Sequence, residues 1–122
     1  ILDKVAKSAD ESVLLAREAG VTIGSGSDVV GPLQGRRGEG IVLKAKIIGA
    51  HEAIISATRT NAEIFGLGDE IGTIEKGKAA DVVLLDGEPL DDVGLLADPD
   101  HVVGVVQRGA VVKDSAGRLG AP

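Results

Sequence analysis

The sequence holds no cysteine, methionine, tryptophan or tyrosine, and only one phenylalanine. Without cysteine there is no disulfide, thiolate metal site or sulfur nucleophile, although that absence does not identify the redox compartment. The scarcity of aromatic rings removes the platforms on which single-stranded nucleic acids stack. Positive charge is also short: 13 Lys+Arg stand against 19 Asp+Glu, a net charge of −6. A nucleic-acid grip needs a clustered basic face. No apolar run approaches the roughly 18 residues of a membrane span, and no basic-then-apolar leader opens the chain. Neither nucleic acid nor a membrane is therefore an expected partner. The compartment stays open, with the cytoplasm ahead. With no methionine and a start at Ile1, the chain is expected to be a processed product or a piece of a longer protein.

What is present points to one aliphatic core. Hydrophobic residues make up 43% of the 122, enough for one ordinary domain but too short for most complete barrel enzymes. The 18 glycines are about twice the usual share of roughly 7% and are spread along the chain, which suggests tight turns between elements. Residues 10–19 read as a helix, with Ser8 or Asp10 as cap, Val13, Leu14 and Val5 as its stripe, and Gly20 as stop. Val21-Thr22-Ile23 reads as a short strand breaking into Gly24-Ser25-Gly26-Ser27-Asp28, an αβ unit of a parallel sheet. Residues 29–38 form a loop carrying Gln34, Arg36 and Arg37. Residues 39–48 and 50–65 read as helices separated by Gly49, the second burying Ala53, Ile54, Ala57, Ile64 and Phe65. After Gly66 the texture turns to strands. Val82-Val83-Leu84-Leu85 suits a strand covered on both faces. The run from Val102 to Val106 meets Ala110-Val111-Val112 through Arg108-Gly109, the pattern of a two-residue hairpin. Residues 115–122 read as a frayed tail.

Few motifs carry chemistry. Gly72-Thr73-Ile74-Glu75-Lys76-Gly77-Lys78 has the letters of a phosphate loop, but Ala79 replaces the hydroxyl that holds magnesium. A strand also follows where a helix N-terminus is needed, so the stretch reads as a turn. Gly24-Ser25-Gly26 opens like a dinucleotide fingerprint but lacks its third glycine and its helix. His51 and His101 sit on different elements without ligand spacing and read as surface or capping residues, His51 pairing with Glu52 near a helix start. Asp28 is the residue to keep. A carboxylate just past a strand, after small residues that admit a ligand, is where barrel enzymes place chemistry, although a turn-forming or capping aspartate has the same local pattern.

Taken together, Gly24-Ser25-Gly26-Ser27-Asp28, Glu52-Ala53, Ala57-Thr58, Ala62, Gly66-Leu67 and the stretch from Gly72-Thr73-Ile74 through Lys78-Ala79-Ala80-Asp81 to Leu90 resemble the C-terminal third of a metal-dependent amidohydrolase. The likeness is nearest to the branch of imidazolonepropionase-like enzymes and Xaa-Pro or Xaa-Arg dipeptidases and runs from about residue 19 to 113. It implies an α/β fold: the C-terminal portion of a (β/α)8 barrel over residues 1–66, with residues 21–27 as its eighth strand, then strands of a small β-sandwich and a tail over 67–122. Asp28 would match the strand-eight aspartate, a metal ligand that also takes a proton from metal-bound water. Asp81 would fall in a structural turn.

The resemblance further implies a divalent metal, zinc by type, in a complete enzyme that hydrolyses amide or peptide C–N bonds of a small molecule or dipeptide. Ring-opening or deaminating chemistry is the alternative within the family. Gln34, Arg36 and Arg37 lie on the loop after the barrel strand and would face substrate, where an arginine fork could hold a carboxylate. Ser27 stands where Thr is usual, Gly49-Ala50 replaces a Ser-Pro helix start, and Thr60-Asn61 shifts the usual Asn. The family's H-x-H pair, bridging lysine and two further histidines are missing from the chain. It is therefore expected to be inactive and to bind metal weakly by itself. Its partners would be the remainder of its own barrel or further copies of itself as a homo-oligomer. The competing reading is a non-enzymatic binding or assembly module on the same scaffold.

Overall fold

The computed structural model describes residues 2–120. Four α-helices come first: α1 (Leu2–Glu18), α2 (Gly38–Ile48), α3 (Ala50–Ala57) and α4 (Arg59–Ile64). A three-stranded antiparallel sheet follows, in the order β1 (Val82–Leu85), β2 (Val102–Gln107) and β3 (Ala110–Asp114). The expected sequence of helices, a change of texture after Gly66 and then strands is present, but several details differ.

The first is α1, which starts at Leu2, well before the expected cap. Ser8 lies inside the helix and accepts from Ser12 Oγ at 2.7 Å through its carbonyl. The side chain of Val5 lies outside the described residues. Gly20, at φ +72, ends the run as expected.

The second is the segment at 21–30, which carries neither helix nor strand. The expected strand Val21-Thr22-Ile23 is not in a ladder, and Val21 is exposed. A barrel strand takes its hydrogen bonds from neighbours on both sides, and the described residues offer it none.

The third is the helix expected over 50–65, which breaks at Thr58 (φ −120, ψ −93) into α3 and α4. Thr58 Oγ1 donates to the Ile54 carbonyl at 2.8 Å, the back-bonding by which threonine bends a helix. Of the residues assigned to that helix's inner face, Ala53 is fully buried, but Ile64 and Phe65 are exposed. Gly49 (φ +90) separates α2 from α3, and no side chain caps α3, so His51 and Glu52 sit 3.5 Å apart on its exposed surface and do not cap it.

In the sheet, β1 pairs with β2 and β2 with β3. Gln107 faces Ala110 across Arg108 (φ +49) and Gly109 (φ +82), the two left-handed residues of a type I′ turn. Asp81 braces that turn, accepting from the Arg108 N–H at 2.7 Å, while the Gly109 N–H donates to the Ala80 carbonyl at 3.0 Å. Val83 is more than half exposed, so β1 is not covered on both faces, as the apolar run suggested. The tail is tied as far as Leu119: both carboxylate oxygens of Asp114 accept, from the Arg118 and Leu119 amides, and the Ser115 amide donates to the Val103 carbonyl, while residues 121–122 lie outside the described residues.

The core is small. Ala53, Ala62 and Ser56 are buried, while Leu15, Val30, Leu43, Phe65 and Ile74 are among the exposed large apolar residues. The two halves meet at Gly38, where an added Cβ would overlap the Leu96 carbonyl and lie 2.6 Å from its carbon. No helix is long and apolar enough to cross a membrane among the described residues.

Candidate functional site

An open concavity of about 410 Å³ lies where residues 25–30 pass over the helices, with Arg37, Ile41, Ala57 and Asn61 completing its wall. Two side chains, Asn61 and Lys44, hold the segment that passes over it. The Ser25 amide donates to Asn61 Oδ1 at 2.9 Å, and Asn61 Nδ2 donates to the Ser25 carbonyl at 2.8 Å. Lys44 Nζ donates to the Gly24 carbonyl at 2.5 Å. Burial pulls the Lys44 ammonium below its ordinary lysine value, since desolvation disfavours the charged form. Gly24 is required by this packing: a Cβ there would meet the Asn61 amide and lie 2.9 Å from Ile64 Cδ1. Sequence reasoning passed over Lys44 and noted Asn61 only as a shifted family asparagine, with no role for either. Only a long-range contact reveals them, since Asn61 lies 36 residues from Ser25.

Asp28 stands on the exposed lip of this concavity. Its φ of +48 is left-handed, a region that aspartate and asparagine enter more readily than other side chains. The Val29 amide reaches back to Ser27 Oγ at 3.5 Å. Among the described residues no hydrogen bond or ion pair engages the Asp28 carboxylate, so it faces solvent with both oxygens free.

The loop residues separate. Arg37 lines the concavity. Arg36 grips Glu39 through Nε (2.6 Å) and Nη2 (2.8 Å). That pairing raises the arginine's pKa and holds the Glu39 carboxyl below the usual carboxylate range. Gln34 is exposed on the 3-10 turn Gly31–Arg36 and is not among the residues lining the concavity.

The other polar clusters have internal uses. Lys78 Nζ donates to the Gly68 carbonyl at 2.6 Å and to Thr73 Oγ1 at 2.7 Å, and its side chain is only 15% exposed. A lysine so engaged staples its own turn and is not presented to a phosphate. His101 Nδ1 lies 2.7 Å from Asp86 Oδ1, joining the end of β1 to the start of β2; the bond to Asp86 lifts the imidazole above its ordinary value. No group of three or more His, Cys, Asp or Glu could hold a metal ion among the described residues. Asp28 can serve as one hard oxygen ligand; a complete set is not assembled by these residues.

Residues 5–112 match the amidohydrolase family. A 5-methylthioadenosine/S-adenosylhomocysteine deaminase of Symbiobacterium thermophilum is 32% identical over 120 residues, 79% of this chain and 27% of its own length. Among solved structures, a prolidase complexed with N-methylphosphonate-L-proline superposes with a TM-score of 0.81 at 40% identity, covering 86% of this chain and 26% of that one. A Xaa-Pro dipeptidase with bound methionine in the active site gives a TM-score of 0.77 at 30% identity, covering 85% and 25%. The chain thus spans about a quarter of the length of each of these relatives.

Proposed function

The chain belongs to the amidohydrolase family, and on that premise we propose that it is the part of a metal-dependent C–N hydrolase that carries the aspartate of the reaction centre. The observation that carries this reading is the Asp28 carboxylate, unpaired and held in a left-handed conformation on the lip of the concavity. Strain kept at an exposed polar residue is a feature of functional sites. In the complete enzyme Asp28 would contribute one oxygen ligand to a divalent metal, zinc by ligand type, and would hold or move a proton at its second oxygen. When bound, such a metal lowers the pKa of water and polarises a carbonyl. The substrate is a small amide or dipeptide. Arg37 is best placed to meet a substrate carboxylate, with Gln34 and Arg36 beside it; Arg36 would first have to release Glu39. Residues 1–66 would form barrel and 67–122 the returning sandwich segment.

The test is Asp28→Asn in the complete reading frame, assayed on Xaa-Pro dipeptides and on adenosine derivatives. Asparagine tolerates the left-handed backbone, so the fold should persist while turnover falls by about a thousandfold, within the range of general acid–base catalysis. Near-normal turnover would remove the assignment. Activity confined to adenosine derivatives would move the parent to the deaminases. No activity in the complete frame would leave a binding module.

The isolated chain is proposed to be inactive, to bind zinc weakly and to associate. β1 is an edge strand, and large apolar side chains are exposed in both halves; such edges and patches recruit another chain. Either the remainder of the barrel or a second copy would cover them. Sedimentation should show an oligomer, and a stable monomer would refute this part of the reading.

A further inference from the structure

We propose that Asn61 and Lys44 are positioning residues that fix Asp28 through the backbone, an inference that rests on the reading of Asp28 above. The segment at 21–30 has no ladder to hold it, yet its functional residue must be placed closely enough to act. Asn61 supplies what a neighbouring strand would: its amide accepts from the Ser25 N–H and donates to the Ser25 carbonyl, the two-way exchange of a sheet pair. Lys44 takes the carbonyl one residue earlier. Gly24 permits both by letting its backbone lie against the Asn61 amide and Ile64. Beyond this clamp only Gly26 and Ser27 precede Asp28, and the Ser27 hydroxyl closes the turn onto Val29. Asp28 is therefore held from α2 and α4 at once, and not by its own side chain.

Two measurements test this. In the 122-residue chain, Asn61→Ala should raise the Ser25 amide exchange rate about tenfold, the loss of one hydrogen bond to a structured amide. Asn61→Asp, which keeps the acceptor, should leave that rate near the wild type. The Leu67 amide, bonded to the Ala62 carbonyl, reports whether α4 still folds. Unchanged Ser25 exchange in Asn61→Ala would overturn the clamp. In the complete enzyme, Asn61→Ala and Lys44→Met should lower kcat about tenfold with KM little changed, and Lys44→Arg in place of Lys44→Met should keep most of it. The same substitutions in an Asp28→Asn background should cost nothing more. Equal losses in both backgrounds would show that the clamp acts elsewhere and would refute the proposal. Near-normal turnover of Asp28→Asn alone would remove the functional reading, and the clamp would then be decided by Ser25 exchange.

Discussion

Two apolar runs in this chain have similar sequences and different fates. Val21-Thr22-Ile23 follows a helix and a left-handed glycine and forms no ladder; Val82–Leu85 follows a stapled turn and becomes β1. Strand propensity does not separate them, since β-branched residues lead both. Partnership does. β1 finds β2 about twenty residues downstream, within reach of the same small unit, and pairs with it from Val82↔Val106 to Leu85↔Val102. The earlier run has no partner strand among the described residues, and the side chains of α2 and α4 hold only Gly24 and Ser25, which follow it. A strand is a property of a pair, and a sequence run alone specifies only one member.

The firmest way to break this comparison is at the contact between the two regions. Gly38→Ala would push a methyl group into the Leu96 carbonyl and should destabilise the chain by about 2 kcal/mol, the cost of overpacking a close contact. Denaturant unfolding measures this, and a neutral result would mean that the two halves do not depend on each other. The sheet half can be sharpened alone. Arg108 occupies a left-handed position that asparagine adopts with less strain. Arg108→Asn should therefore raise stability by about 0.5 kcal/mol without altering the Ser25 clamp. The smallest effect is expected at His101. Its pKa is raised by the Asp86 bond, so the stabilisation is fully present below the imidazole's unfolded value of about 6.5 and is lost as pH rises through the higher folded value. Melting temperature against pH should show this loss in the wild type and not in His101→Gln. The pair is exposed, so salt should weaken it.

Local chemistry was readable without the fold wherever a residue acts on its near neighbours. Arg108-Gly109 announced a two-residue hairpin, Gly20 and Gly49 marked their helix ends, and the phosphate-loop letters around Lys78 read as a turn because the wrong element followed. The family was readable too, from the run between Gly72 and Leu90 together with Gly24 to Asp28, and it agrees with the match over residues 5–112. Misreadings came where a local rule met a longer-range one. Ser8 and Asp10 are good caps, but the helix continues through them to Leu2. Phe65 keeps helical spacing with Ala53 and Ala57, but the bend at Thr58 turns α4 and leaves the ring exposed.

The amino-acid sequence by itself determined that helices precede strands, the two-residue turn at Arg108-Gly109 and the candidacy of Asp28, because these depend on backbone preference and on groups a few residues apart. Only the tertiary structure decided that Asn61 and Lys44 hold the backbone leading to Asp28, that Lys78 and Arg36 are engaged within the chain while Arg37 lines the concavity, and that Val21-Thr22-Ile23 forms no strand among the described residues. The reason is physical. A hydrogen bond across 36 residues leaves no periodicity in the sequence, and whether a polar side chain is free depends on which oxygen the folded chain brings within reach of it.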